Sequence, residues 1–131
     1  MILVTGGAYQ GKLEYAMDLW STSKQRIAEG ATCEITELFY ATMIHDFQLC
    51  IKRLLEGGKK PEAICHLMDQ MLEVNKDIVI ITNELGCGVV PMEAFDRMYR
   101  ELVGRICCKL AKEANQVHRV TCGLGMVIRH D

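Results

Sequence analysis

Gly6-Gly7-Ala8-Tyr9-Gln10-Gly11-Lys12 has the Gly-x-x-x-x-Gly-Lys spacing of a turn that holds a polyphosphate. In such a turn backbone N–H groups converge on the anion and the lysine adds a full positive charge. Gly6 and Gly11 permit the close wrap, and a helix opening at Lys12 would add the positive end of its dipole. The residues expected to contact a nucleotide, GTP or ATP as substrate, are Gly6, Gly7, Ala8, Gln10, Gly11, Lys12 and Leu13. Lys12 is also a candidate catalytic residue, stabilising a transferring phosphoryl group. Leu13 departs from the pattern, because a Ser or Thr hydroxyl there would ligate Mg²⁺. A carboxylate elsewhere would have to replace it. Glu84, Glu34 and Glu37 are the candidates, and no metal-ligand set is assigned.

Glu84 is the second candidate catalytic residue. It follows the β-branched run Ile78-Val79-Ile80-Ile81 within Asn83-Glu84-Leu85-Gly86-Cys87-Gly88, where a strand end meets turn glycines. Glu34 and Glu37 also read simply as solvated surface. His45 falls in a helical stretch and reads as an ordinary helical histidine, with a nucleophilic role as the sharper alternative. His66 beside Cys65 does not make a pair, because adjacent helical residues point apart. His118 and His130 accompany closing strands and read as structural. Tyr9 either stacks on a base or caps the turn, and the Met-rich face at residues 68–71 reads as core.

The elements that must position these groups follow from periodicity. Residues 2–5 predict a strand buried on both faces. Leu13, Ala16, Met17 and Trp20 predict a helix from Lys12 to about residue 24. Residues 32–38 are a weak strand candidate, and Met43 to Leu55 carry a helical apolar stripe stopped by Gly57-Gly58. Pro61 opens another helix, residues 77–82 form the clearest strand, and Pro91 opens the longest helix. Strands at 117–122 and 126–129 close the chain about Gly123 and Gly125. The alternation predicts an α/β fold, a three-layer P-loop NTPase-like domain over residues 1–131 with a mostly parallel sheet of about five strands. Ligands of such sheets gather at the carboxyl ends of the strands.

The 131 residues suit one domain with a sizeable core. A net charge of −2 without long single-sign runs gives no footprint for nucleic acid or an anionic membrane, so a phosphate must be held locally. No apolar run is long enough for a membrane span, and the start shows no basic leader of a signal peptide. The seven cysteines form no Cys-x-x-Cys, which sets zinc and dithiol readings aside and predicts reduced thiols in a cytoplasmic protein.

Two segments resemble the adenosylcobinamide kinase/adenosylcobinamide-phosphate guanylyltransferase family. They are Ile2-Leu3-Val4-Thr5-Gly6-Gly7-Ala8-x-x-Gly11-Lys12 and Val79-Ile80-Ile81-Thr82-Asn83-Glu84-x-Gly86-x-Gly88-x-Val90-Pro91. Arg97, Arg100, Gly104, Arg105, Leu110, Ala111 and Gly123 extend the likeness, which covers residues 1–18 and 77–129. The resemblance implies a P-loop α/β sheet and a homo-oligomer, a trimer in that family. It implies phosphorylation of the aminopropanol hydroxyl of a corrinoid, cobinamide, and GMP transfer from GTP through a guanylyl-histidine. It also implies that Gly6, Gly7, Gly11 and Lys12 hold phosphates and that Glu84 sits in the active-site cleft. Residues 19–44 contain no histidine, so no counterpart of the guanylylated residue stands there. The alternative is a nucleotide- or phosphate-binding module without turnover, lacking both the Mg²⁺ ligand and that histidine.

Overall fold

A computed structural model describes residues 1–85 and 93–131. Its strands are β1 (Ile2–Gly6), β2 (Ile27–Glu29), β3 (Met43–His45), β4 (Val79–Asn83), β5 (Gln116–Thr121) and β6 (Leu124–His130). Its helices are α1 (Lys12–Trp20), α2 (Phe47–Glu56), α3 (Pro61–Val74) and α4 (Ala94–Glu113). The strands join in one sheet, order β2-β3-β4-β1-β5-β6, parallel except for the antiparallel pair β5–β6.

The central strands β1 and β4 are apolar on both faces, as a covered parallel sheet requires. On one face Val4, Met43, Val79, Ile81 and Val120 pack against α1 through Ala16, with Leu13, Met17 and Trp20 around it. On the other, Leu3, Ile44, Ile78, Ile80 and Val117 meet the inner faces of α2, α3 and α4. The result is a three-layer α/β domain of the kind that the alternation predicts, with one strand more than expected.

The extra strand comes from the region between α1 and α2. Residues 32–38 are not a strand: Ile35–Phe39 form a 3₁₀ turn. Its capping box joins Glu34 and Glu37, with the Glu34 N–H donating to Glu37 Oε2 at 2.6 Å. These two carboxylates therefore serve a local turn. The sheet is extended instead by β2 and β3, three residues each, and α2 begins only at Phe47, after Asp46 takes a left-handed conformation (φ 51°). Helix α1 ends at Trp20, earlier than residue 24. Gly86, Cys87, Gly88 and Pro91, to which the sequence assigned a turn and a helix start, lie outside the described residues; α4 follows at Ala94.

Buried polar groups on the α1 face are paired. The Tyr15 hydroxyl lies 2.7 Å from His118 Nδ1, and His118 Nε2 lies 2.8 Å from Gln116 Oε1. Tyr15 donating and Nε2–H donating satisfies a neutral imidazole on both sides. Burial, with a smaller push from His130, holds the His118 pKa below the ordinary histidine value. The unfolded chain therefore takes up this proton more readily, so its contribution is complete above about pH 6.5 and is lost as pH falls through and below that value. The urea midpoint is expected to drop between pH 7.5 and pH 5.5, and to drop less in His118→Gln. Equal drops would remove His118 as the cause.

Burial also pushes Cys50 up to about 12 and Cys107 up to about 11, values of thiols that pack rather than react. No described helix is long and apolar enough to cross a membrane.

Candidate functional site

The carboxyl ends of β1, β3 and β4 frame a cleft of about 520 Å³, with residues 8–14 on one wall and His45, Asp46, Gln48, Leu49 and Asn83 on the other. The glycine-rich turn fills the step from β1 to α1. Gly6 is required by space, because a Cβ there would lie 2.4 Å from the Val120 carbonyl oxygen of the adjoining strand. Gly11 is required by conformation, being left-handed (φ 83°) at the cap of α1. Tyr9 is also left-handed and its side chain is fully exposed.

Lys12 is 6 % exposed, and its ammonium donates to the Gly7 carbonyl at 2.6 Å. Burial pulls its pKa down, and the carboxylates of Asp46 and Glu84 push back. Lys12, Asp46 and Glu84 thus share one electrostatic neighbourhood. Ala8, Gln10, Gly11, Lys12 and Leu13 line the cleft. Gln10 also bonds away from the cleft. Its backbone carbonyl accepts from the Gly123 N–H at 2.7 Å and its Oε1 from the Cys122 N–H at 2.6 Å. It clasps the turn to the β5–β6 hairpin. Leu13 packs against the Val4 and Ile81 cluster as well as lining the cleft, which accounts for an apolar side chain there.

Glu84 sits beyond β4, where its N–H donates to the Gly6 carbonyl at 2.9 Å. Both of its oxygens accept from Arg119, from Nε at 2.9 Å and from a terminal nitrogen at 3.1 Å. Among the described residues the carboxylates that line the cleft are Asp46 and, on the opposite wall, Glu14.

Four residues joined to this cleft, Gln48, His45, Asp46 and Glu29, carry no sequence motif. Gln48, buried on α2, accepts through Oε1 from the Asn83 N–H at 3.0 Å and donates through Nε2 to Asp46 Oδ1 at 3.3 Å. Its own carbonyl accepts from the Tyr99 hydroxyl at 3.0 Å. His45 ends β3, and its Nδ1 lies 2.8 and 3.0 Å from the two oxygens of Glu29, its register partner on β2. Glu29, His45 and Asp46 have ligand atoms within 4.8 Å of one another. A polar residue interrupting an apolar stripe was the available signal for Gln48. Nothing in the sequence brings Glu29 to His45, because only the strand register does.

The family model of cobinamide kinase / cobinamide phosphate guanyltransferase matches residues 36–128. The chain belongs to that family. The match runs from the 3₁₀ turn to β6 and so takes in β3, β4, His45, Asp46, Glu84 and Arg119. The glycine-rich turn precedes the matched stretch, so its assignment stands on its own spacing and geometry. Among relatives, the chain is 40% identical over 52 residues to the bifunctional adenosylcobalamin biosynthesis protein CobU of Escherichia coli (strain K12). It is 38% identical over 52 residues to the protein of the same name from Salmonella typhimurium (strain LT2). Those 52 residues are 40% of this chain and 29% of each relative, so the alignment spans less than a third of either relative's length.

Proposed function

We propose that the cleft holds the triphosphate of GTP or ATP and that the chain transfers a phosphoryl group to a hydroxyl of a corrinoid, cobinamide, in cobalamin biosynthesis. One observation carries this reading: a buried lysine at the head of α1, inside a Gly-x-x-x-x-Gly-Lys turn, faces the strand ends of a cobinamide kinase/guanyltransferase family fold. Lys12 exchanges the Gly7 carbonyl for phosphate oxygens, and the turn's N–H groups with the α1 terminus hold the rest. Glu84, whose charge acts on Lys12 and whose oxygens bind Arg119, would help hold these two cations at the strand ends. Mg²⁺ would neutralise phosphate charge when bound. Leu13 offers it no ligand, so a carboxylate of the facing wall, Asp46, would supply one. The exposed apolar side chains of β6 (Leu124, Met126, Val127, Ile128) favour a homo-oligomer, with a trimer in the cytoplasm as the reading from resemblance.

Leu13 also favours a second reading, a module that binds a nucleotide without turning it over. Calorimetric titration with GTP and ATP, with and without Mg²⁺, followed by a cobinamide phosphorylation assay, separates the two. The kinase reading expects triphosphate binding strengthened by Mg²⁺ and a phosphorylated product. Binding indifferent to Mg²⁺ with no product leaves the module, and no binding ends both.

A further inference from the structure

We propose that Glu29, His45 and Asp46 form a divalent-cation site on the cleft wall that prefers Zn²⁺ to Mg²⁺. The three side chains come from the ends of β2 and β3 and from the residue leading into α2. Parallel pairing sets Glu29 opposite His45, and the Gly30 N–H, donating to the His45 carbonyl at 2.8 Å, locks that end of the ladder. Gln48 steadies Asp46.

The distances divide the roles. His45 Nδ1 sits in hydrogen-bond contact with Glu29, whereas Nε2 stands 3.7 Å from Asp46 Oδ1. That second separation is too long for a hydrogen bond. It matches two donors on one ion, since bonds of about 2.1 Å in a tetrahedron place neighbouring donors about 3.4 Å apart. His45 Nε2 and Asp46 are thus the ligands. Glu29 is the positioning residue, holding Nδ1 so that Nε2 faces the ion.

Donor chemistry sets the preference. Mg²⁺ demands an octahedron of oxygens, while imidazole nitrogen suits Zn²⁺. So few protein donors leave positions open toward the cleft that Lys12 lines. The site deepens the nucleotide reading by naming its cation, but its residues exist without a nucleotide and are tested without one.

Mn²⁺ is titrated into the nucleotide-free protein and the free-ion electron paramagnetic resonance signal is followed. Mn²⁺ is the probe because thiols elsewhere in the chain would also take Zn²⁺. One Mn²⁺ per chain is expected, displaced by Zn²⁺ at lower concentration than by Mg²⁺. Glu29→Gln is expected to weaken binding about 10–100-fold with an unchanged urea midpoint, and His45→Gln to abolish it. Absence of bound Mn²⁺, unaltered binding in Glu29→Gln, or displacement by Mg²⁺ as readily as by Zn²⁺ overturns the assignment. Subsequent addition of GTP reads the nucleotide proposal separately, so failure of one does not mimic failure of the other.

Discussion

Lys12→Met is expected to weaken triphosphate binding by roughly 10–100-fold while leaving the unfolding midpoint of the unliganded protein unchanged or raised. The loss follows from removing a charge-assisted hydrogen bond, worth about 1.5–3 kcal/mol, at about 1.4 kcal/mol per tenfold in affinity. The stability half follows from the environment of the ammonium. Burial outweighs Asp46 and Glu84 and lowers the Lys12 pKa, so the charged form is less well accommodated in the fold than in the unfolded chain. At neutral pH the lysine is protonated in both states, the penalty is present in full, and it disappears only as pH rises through the lysine titration range. Methionine keeps the aliphatic stem and removes the charge. A residue kept for binding at a cost to stability gives this opposed pair of outcomes. Fluorescence titration with a labelled GTP, paired with urea unfolding, reads both. Wild-type affinity in the variant would mean that the turn holds no phosphate.

Gly30→Ala is expected to lower stability by about 3 kcal/mol, the upper end for overpacking, and roughly 10 °C in midpoint for a chain of this size. The reason is space alone, since Gly30 is not among the residues with positive φ. A Cβ there would lie 2.0 Å from the Asp46 carbonyl oxygen, 2.7 Å from its carbon and 2.9 Å from the His45 oxygen. All three are backbone atoms, so no side-chain rotation relieves the clash and the end of β3 must move. His45 and Asp46 move with it, and the Mn²⁺ affinity should fall together with the midpoint. Gly104 is the control: it lies in the exposed interior of α4 with nothing near a built Cβ. Gly104→Ala should stabilise by about 0.5–1 kcal/mol. Similar midpoints for the two variants would show that the β2–β3 contact is looser than described.

These two positions also show what the sequence discloses. Lys12 is announced by local spacing, and β1 and β4 by apolar runs long enough to be unambiguous. Helix α1 follows from Leu13, Ala16, Met17 and Trp20, and the closing hairpin from Gly123 at its turn. Strands β2 and β3 escape because three residues cannot establish a period of two. Met43 and Ile44 moreover continue in step with the stripe of α2, so strand and helix read as one element until Asp46 turns the chain. The part of the site built on these strands is hidden for the same reason. Glu29 and His45 stand 16 residues apart and meet only through a parallel register. Glu84 shows the converse: its place at a strand end was legible, but its grip on Arg119 depends on β5 lying on the far side of β1.

The clasp made by Gln10 ties the glycine-rich turn to the outer hairpin through two amides, those of Cys122 and Gly123. The two segments therefore share one conformational equilibrium. Whatever orders the turn lowers the entropy still to be lost by the hairpin, and whatever grips the hairpin does the same for the turn. Thermodynamic reciprocity makes the effect equally strong in both directions, so the sheet's outermost edge is an energetic handle on the anion cradle.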